Sequence, residues 1–148
     1  MHNYPGLPAG KIAVRAGPVM AATDEVQITV RGKGGHAAFP HLTVDPVVVS
    51  AQMIGALQTI ASRGVDPVDA VVVSICSMQT SQVGAFNVIP DSVKLIGTVR
   101  TFRPATRDFA EQRLRLICSK TAEALDATAD VQYMRGYPAT INSAREAQ

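Results

Sequence analysis

An α+β fold, with two helices covering one face of a four-stranded antiparallel sheet, is predicted by three features of this 148-residue chain. Apolar side chains fall at every second position through Val26, Ile28 and Val30, and again through Val93, Leu95 and Val99. Two longer segments instead repeat apolar residues at three- and four-residue steps. The segments follow one another as strand, helix, strand, strand, helix, strand. A period of two marks a strand with one buried face, and a period near 3.6 marks a helix with one buried stripe.

Taken in order, the first 23 residues are broken by Pro5, Pro8 and Pro18 and by Gly6, Gly10 and Gly17, too often for a helix. Within them Lys11 to Arg15 reads as one short strand. From Thr23 to Arg31 the alternation gives the first strand of the sheet, and Gly32-Lys33-Gly34-Gly35 ends it in a turn. Asp45 then caps a helix whose first position, Pro46, has no N–H to satisfy. Its stripe reads Val47, Ala51, Ile54, Leu57 and Ala61, widened by Met53 and Ile60. Arg63-Gly64 closes it, with Gly64 as a left-handed C-terminal residue.

The β-branched run from Ala70 to Met78 reads as a strand covered on much of both faces. After a polar stretch and the Pro90-Asp91 break, Ser92 to Phe102 alternates again. Val93, Leu95 and Val99 point one way, and Lys94, Thr98 and Arg100 the other. The second helix runs from about Pro104 to Leu125, with Phe109, Leu114, Ile117, Cys118, Thr121 and Leu125 as its stripe. A last strand from Asp130 to Tyr137 stops at Pro138, and residues 143–148 are polar and expected to fray. The β-α-β-β-α-β order is that of a ferredoxin-like sandwich. Its right-handed crossovers give the spatial strand order 4-1-3-2 and put the second strand at an edge.

Composition narrows the function. With 47% apolar and 18% charged residues the chain can bury a core. A net charge of +2 gives little pull towards nucleic acid or an anionic membrane. Neither Thr23–Arg31 nor Ser92–Thr101 contains the aromatics that an RNA-binding sheet exposes on its central strands. The two cysteines make no disulfide framework, and both lie on apolar patterns that read as buried, inert thiols. No apolar run approaches the about 18 residues of a membrane span, and residues 1–10 lack the basic start and apolar stretch of a signal peptide. The expectation is a soluble, cytoplasmic domain with no nucleic-acid or membrane partner.

Chemistry concentrates in a few places. In Gly32-Lys33-Gly34-Gly35-His36-Ala37-Ala38-Phe39-Pro40-His41 the lysine lacks the spacing of a phosphate loop. His36 and His41, with Asp45, are either a metal set or loop groups bonded to backbone and solvent. An imidazole after three glycines can project from the fold and donate a proton or a hydrogen bond outside it. Asn87, ahead of Val88-Ile89-Pro90, serves either local backbone groups or a ligand. Arg100 is either part of a solvated basic face or a clamp for a carboxylate.

These segments, with Asp45-Pro46-Val47-Val48, Asn87-Val88-Ile89-Pro90-Asp91, Gly97-Thr98-Val99-Arg100-Thr101-Phe102 and the opening His2-Asn3-Tyr4-Pro5-Gly6, resemble peptidase family M20. The branch they resemble contains hippurate hydrolases, N-acyl-amino-acid amidohydrolases and auxin-conjugate hydrolases. The resemblance implies an inserted lid and dimerisation domain at residues 24–137, with flanks 1–23 and 138–148 belonging to a catalytic domain. It implies a parent enzyme that uses two divalent metal ions (Zn, Mn, Co or Ni) to hydrolyse the amide of an N-acyl or N-aroyl amino acid. His36 would stabilise the oxyanion in the partner's active site, and Asn87 and Arg100 would contact substrate at the same junction. His2 alone matches a metal ligand, so the isolated chain is expected to be inactive and to hold no metal. A homodimer is expected through the strand from Ala70 to Met78 and the helix from Val47 to Ser62. The competing reading is a stand-alone ferredoxin-like module that binds a small regulatory ligand.

Overall fold

The computed structural model describes residues 5–147. In chain order its elements are β1 (Gly17–Met20), β2 (Asp24–Arg31), β3 (Gly35–His36), α1 (Pro46–Leu57), β4 (Val71–Thr80), β5 (Val88–Ile89), β6 (Ser92–Thr101), α2 (Pro104–Glu123), β7 (Thr128–Arg135) and β8 (Thr140–Asn142). The main sheet is antiparallel in the order β4-β6-β2-β7, the ferredoxin-like arrangement. The strand after the first helix therefore lies at an edge.

β2 pairs without a register shift along its whole length, Arg31 opposite Ser92 on one side and Thr128 on the other. Val26, Ile28, Val30, Val93, Leu95 and Val99 point to the face that both helices cover, and all are buried. The other face carries no helix. β4 shifts register between Ile75 and Ser77, leaving Cys76 without a cross-strand partner. Gly97 sits at that irregularity, where a Cβ would come within 2.3 Å of the Ser74 carbonyl oxygen. Any side chain there would push β4 away.

Several local expectations are corrected. Lys11 to Arg15 forms no strand; β1 begins at Gly17 and pairs with β8. The run from Ala70 to Met78 is not covered on both faces. In β4 only Val73 is fully buried, because an edge strand has a neighbour on one side and helices over one face. Cys76 is correspondingly exposed, whereas Cys118 is buried.

The helical stripes match expectation at Met53, Leu57, Ile60, Leu114 and Cys118, with Val47, Ile54 and Ile117 packed against the core, and depart from it at a few positions. α1 buries Val49, Ser50, Met53 and Leu57 and exposes Ala51; the π-helical turn Ile60–Gly64 that follows buries Ile60 and exposes Ala61. The α1 run Pro46-Val47-Val48-Val49 is apolar all round, so periodicity alone could not fix the phase. α2 buries Thr106, Ala110, Leu114, Cys118 and Ala122, and leaves Phe109 and Leu125 partly exposed. Small side chains at four-residue steps let that helix lie close to the sheet. Gly64 does not adopt a left-handed conformation; a Cβ there would lie 3.1 Å from the Phe109 ring, so its role is to make room. The left-handed residue is instead Asp126 after α2, with φ of 58°. Its neighbour Ala127 donates an N–H to the Ala122 carbonyl at 2.9 Å. The last strand spans Thr128–Arg135, two residues ahead of its expected span at each end.

Candidate functional site

The glycine-rich segment after β2 is fastened on three sides. Gly32 donates its N–H to the Asp91 carbonyl at 2.9 Å, and Gly34 donates to the Asp91 carboxylate oxygen Oδ1 at 3.0 Å. Lys33 and Val44 exchange both backbone hydrogen bonds at 2.9 Å. Then β3 pairs with β5, Gly35 opposite Ile89 and His36 opposite Val88, and the Ala37 N–H reaches the Asn87 carbonyl at 2.9 Å. Two segments about fifty residues apart are thus stitched into one short ribbon beyond the end of the main sheet.

His36 is exposed on that ribbon. Its Nδ1 accepts the Ala38 N–H at 3.0 Å. A neutral imidazole that accepts at Nδ1 carries its proton on Nε2, so the second ring nitrogen is a donor. The Phe39 ring meets the imidazole edge-on, with centroids 5.6 Å apart. Phe86, immediately before Asn87, is 98% exposed. Neither exposed phenylalanine was singled out at the sequence level, although Phe39 lies within the glycine-histidine segment and Phe86 directly precedes Asn87.

Arg100 lies on the open face of β6, opposite Val72 of β4, and its Nη1 donates to the Thr23 hydroxyl. It stands eight positions beyond Ser92, the residue next to Asp91. At about 3.3 Å per residue that is about 26 Å along the strand. The ribbon brings His36 and Asn87 together and leaves Arg100 at the opposite end of the sheet. The expected single junction does not exist within one chain, because β6 runs the full length of the sheet between them.

Other sequence candidates resolve differently. Asp45 caps α1, accepting the Val47 N–H at 2.8 Å, and does not converge with His36 and His41. Among the described residues no three His, Cys, Asp or Glu side chains come together to hold a metal ion. The described residues thus do not fit a two-metal centre, and His2 lies outside them. No described helix is long and apolar enough to cross a membrane.

A second cluster was not foreseen. The Asp24 carboxylate is fully buried and accepts from Arg107, from the Tyr133 hydroxyl at 2.7 Å and from the Gly136 N–H at 3.3 Å. Burial by itself raises the Asp24 pKa, but the Arg107 and Tyr133 hydrogen bonds, the Arg107 charge and the Gly136 N–H outweigh it and hold the carboxyl below its usual range. The signal was available: Asp24 shares the inward parity of Val26, Ile28 and Val30. The cluster sits between the start of β2 and the end of β7, where the Thr23 N–H donates to the Tyr137 carbonyl and the Gly136 N–H to the Thr23 carbonyl. An open groove of about 630 Å³ between α1 and α2 lies away from His36 and is lined by no carboxylate or imidazole.

The family pattern of the peptidase dimerisation domain, M20_dimer, matches residues 23–126. The chain is 44% identical over 138 residues to an N-acetyldiaminopimelate deacetylase of Leuconostoc mesenteroides, covering 92% of this chain and 35% of that protein. It is 37% identical over 142 residues to an N-acetylcysteine deacetylase of Bacillus subtilis, covering 96% of this chain and 37% of that protein. A solved Bacillus subtilis structure, described as a dinuclear metal-binding peptidase from the M20 family, superposes with a TM-score of 0.71 at 31% identity. That superposition covers 97% of this chain and 34% of the other. The chain spans about a third of the length of the curated relatives it matches.

Proposed function

The chain belongs to the M20 peptidase dimerisation-domain family, and from that premise we propose that residues 24–137 are the lid and dimerisation domain of a metal-dependent amidohydrolase acting on N-acyl amino acids. Residues 1–23 and 138–148 are then the flanks leading into a catalytic domain. Two divalent ions in that domain supply the activated water; the described residues of this chain supply binding and charge stabilisation.

The observation that carries the reading is the His36 geometry. His36 is exposed and seated on a hydrogen-bonded ribbon, and its Nδ1 is engaged by the Ala38 N–H, which leaves Nε2 to carry the proton of the neutral ring. A donor fixed before the reaction and aimed at a developing oxyanion needs no reorganisation as the charge forms. Asn87, on the adjoining strand end, contributes a further polar contact to the substrate. The guanidinium of Arg100 clamps the substrate carboxylate with its planar fork.

Symmetry reconciles the separation of these groups. β4 has one unpaired edge and contains neither Pro nor Lys to discourage pairing. Pairing it antiparallel with a second copy sets the Thr80 end of one strand beside the Val71 end of the other. Val72 is opposite Arg100, and Thr80 is opposite Val93 near the His36 ribbon. Two-fold pairing therefore carries His36 and Asn87 of the partner subunit to the end of the sheet that holds Arg100. One site then takes its oxyanion donor in trans and its carboxylate clamp in cis, and α1 packs beside its symmetry mate. For the acyl group, the exposed Phe39 and Phe86 favour an apolar substituent such as the benzoyl of hippurate.

A chimera tests this. Residues 23–137 replace the matching segment of the Leuconostoc mesenteroides deacetylase, whose overall identity with this chain is 44%. We expect the isolated chain to be inactive and the chimera to hydrolyse N-acyl amino acids. His36→Ala should lower its kcat about 100- to 1000-fold without changing its sedimentation. Mixing that variant with a catalytic-domain mutant should restore activity in exchanged dimers. Full activity of the His36→Ala chimera, or turnover by the isolated chain, would overturn the proposal.

A further inference from the structure

We infer that Asp91 is the positioning residue for His36, an inference that rests on the reading of His36 as a donor. Three of the four residues between β2 and His36 are glycines, the residue with most conformational freedom to lose. They are glycines because two backbones meet there. A Cβ on Gly32 would lie 2.1 Å from the Val44 carbonyl oxygen, and one on Gly34 would lie 2.6 Å from the Ile89 carbonyl oxygen. Such a segment reaches one conformation only if something outside it holds it.

Asp91 does so at two points. Its carbonyl takes the Gly32 N–H at 2.9 Å and its carboxylate takes the Gly34 N–H at 3.0 Å. Among the described residues the second bond is the one tie between a side chain and the glycine backbone in this turn. Gly34 fixes where β3 starts, and the β3–β5 register fixes the backbone of His36. The Ala38 N–H then fixes the ring. The chain of restraint runs from Asp91 through Gly34 and the ribbon to the Nδ1 acceptor, and so to the Nε2–H. A carboxylate whose work was only to end the turn after Pro90 would have no effect on the imidazole.

The test uses the 148-residue chain itself, ¹⁵N-labelled. Long-range ¹H–¹⁵N correlations report the His36 tautomer, and hydrogen exchange reports the Gly34 and Ala38 amides. In the native chain we expect the Nε2–H tautomer and protection of both amides. Asp91→Ala should speed exchange of both amides about tenfold, the order expected for loss of one hydrogen bond, and return the His36 ring pattern to that of a free imidazole. Sheet amides such as Ile28 and Leu95 should be unchanged. Asp91→Asn keeps an oxygen acceptor and should restore the native pattern. An unchanged His36 ring and Ala38 amide in Asp91→Ala would overturn the inference. So would Asp91→Asn being as perturbed as Asp91→Ala, and the Asn variant decides alone if the Ala variant does not fold. These readouts need no catalysis, so they separate this inference from the fate of the His36→Ala chimera.

Discussion

Replacing Asp24 by Asn measures how firmly the start of β2 is anchored to α2 and the end of β7. The native carboxylate receives Arg107 Nε at 3.0 and 3.1 Å, Arg107 Nη2, the Tyr133 hydroxyl at 2.7 Å and the Gly136 N–H. Arg107 also donates from Nη2 to the Gly136 carbonyl at 2.9 Å, and its side chain is only 13% exposed. Asn removes the negative charge and turns an NH₂ towards donors, so a nearly buried cation loses its counter-ion. Breaking one partner of a buried pair costs about 3–5 kcal/mol. The residual exposure of Arg107 sets the expected cost at the lower end, about 3 kcal/mol. For a chain of this size each kcal/mol lowers Tm by about 2–4 °C, so the expected drop is about 6–12 °C. Thermal unfolding followed by circular dichroism at pH 7 reads it directly. The same scans against pH carry a sign. Because the folded carboxyl lies below its usual range, its contribution is complete above the unfolded value of about 3.9. That contribution is lost as pH falls through the folded value. The native chain should therefore lose stability below about pH 4 more steeply than the Asn variant. A Tm change under about 2 °C, well short of the expected drop, would refute the reasoning, as would parallel acid profiles.

Two further outcomes follow from burial and from the free edge. Burial pushes the Cys118 thiol up to about 12, whereas Cys76 is exposed on β4; a thiol reagent at pH 8 should titrate one cysteine in the native chain and two after unfolding, and rapid reaction of both in the native state would contradict the packing of α2. Val72→Lys places a charge on the open face of β4 beside Arg100, and sedimentation at tens of micromolar, a range that exposes a weak interface, should show the native chain dimeric and the variant shifted to monomer. A dimer indifferent to the lysine would place the interface elsewhere.

The element order and the strand faces were legible because they are local. Val26, Ile28 and Val30 alternate, Asp45-Pro46 starts a helix, and each signal lies within a few residues. The order β4-β6-β2-β7 followed from chain connectivity and handedness. The residues of the candidate site were also visible in sequence, because glycines before a histidine and an Asn-Val-Ile-Pro run are compact motifs. Their mutual placement was not.

That placement depends on pairings between distant segments, which no window of sequence contains. Gly35 meets Ile89, Arg107 meets Asp24, and β1 pairs with β8 across more than a hundred residues. The same limit explains the positions where the helical stripes depart from expectation. The apolar run that opens α1 offers several equivalent faces, and contact with β2, β4 and β6 selects Val49, Met53 and Leu57. In α2 the sheet admits Ala110, Cys118 and Ala122 while Phe109 turns out beside Gly64. Sequence by itself determined the order of the main elements and which face the strands Asp24–Arg31 and Ser92–Thr101 bury, because those follow from periodicity and residue type. Tertiary structure decided that His36 and Asn87 share one end of the sheet and Arg100 holds the other, because a ten-residue strand is rigid and its two ends cannot meet within one chain.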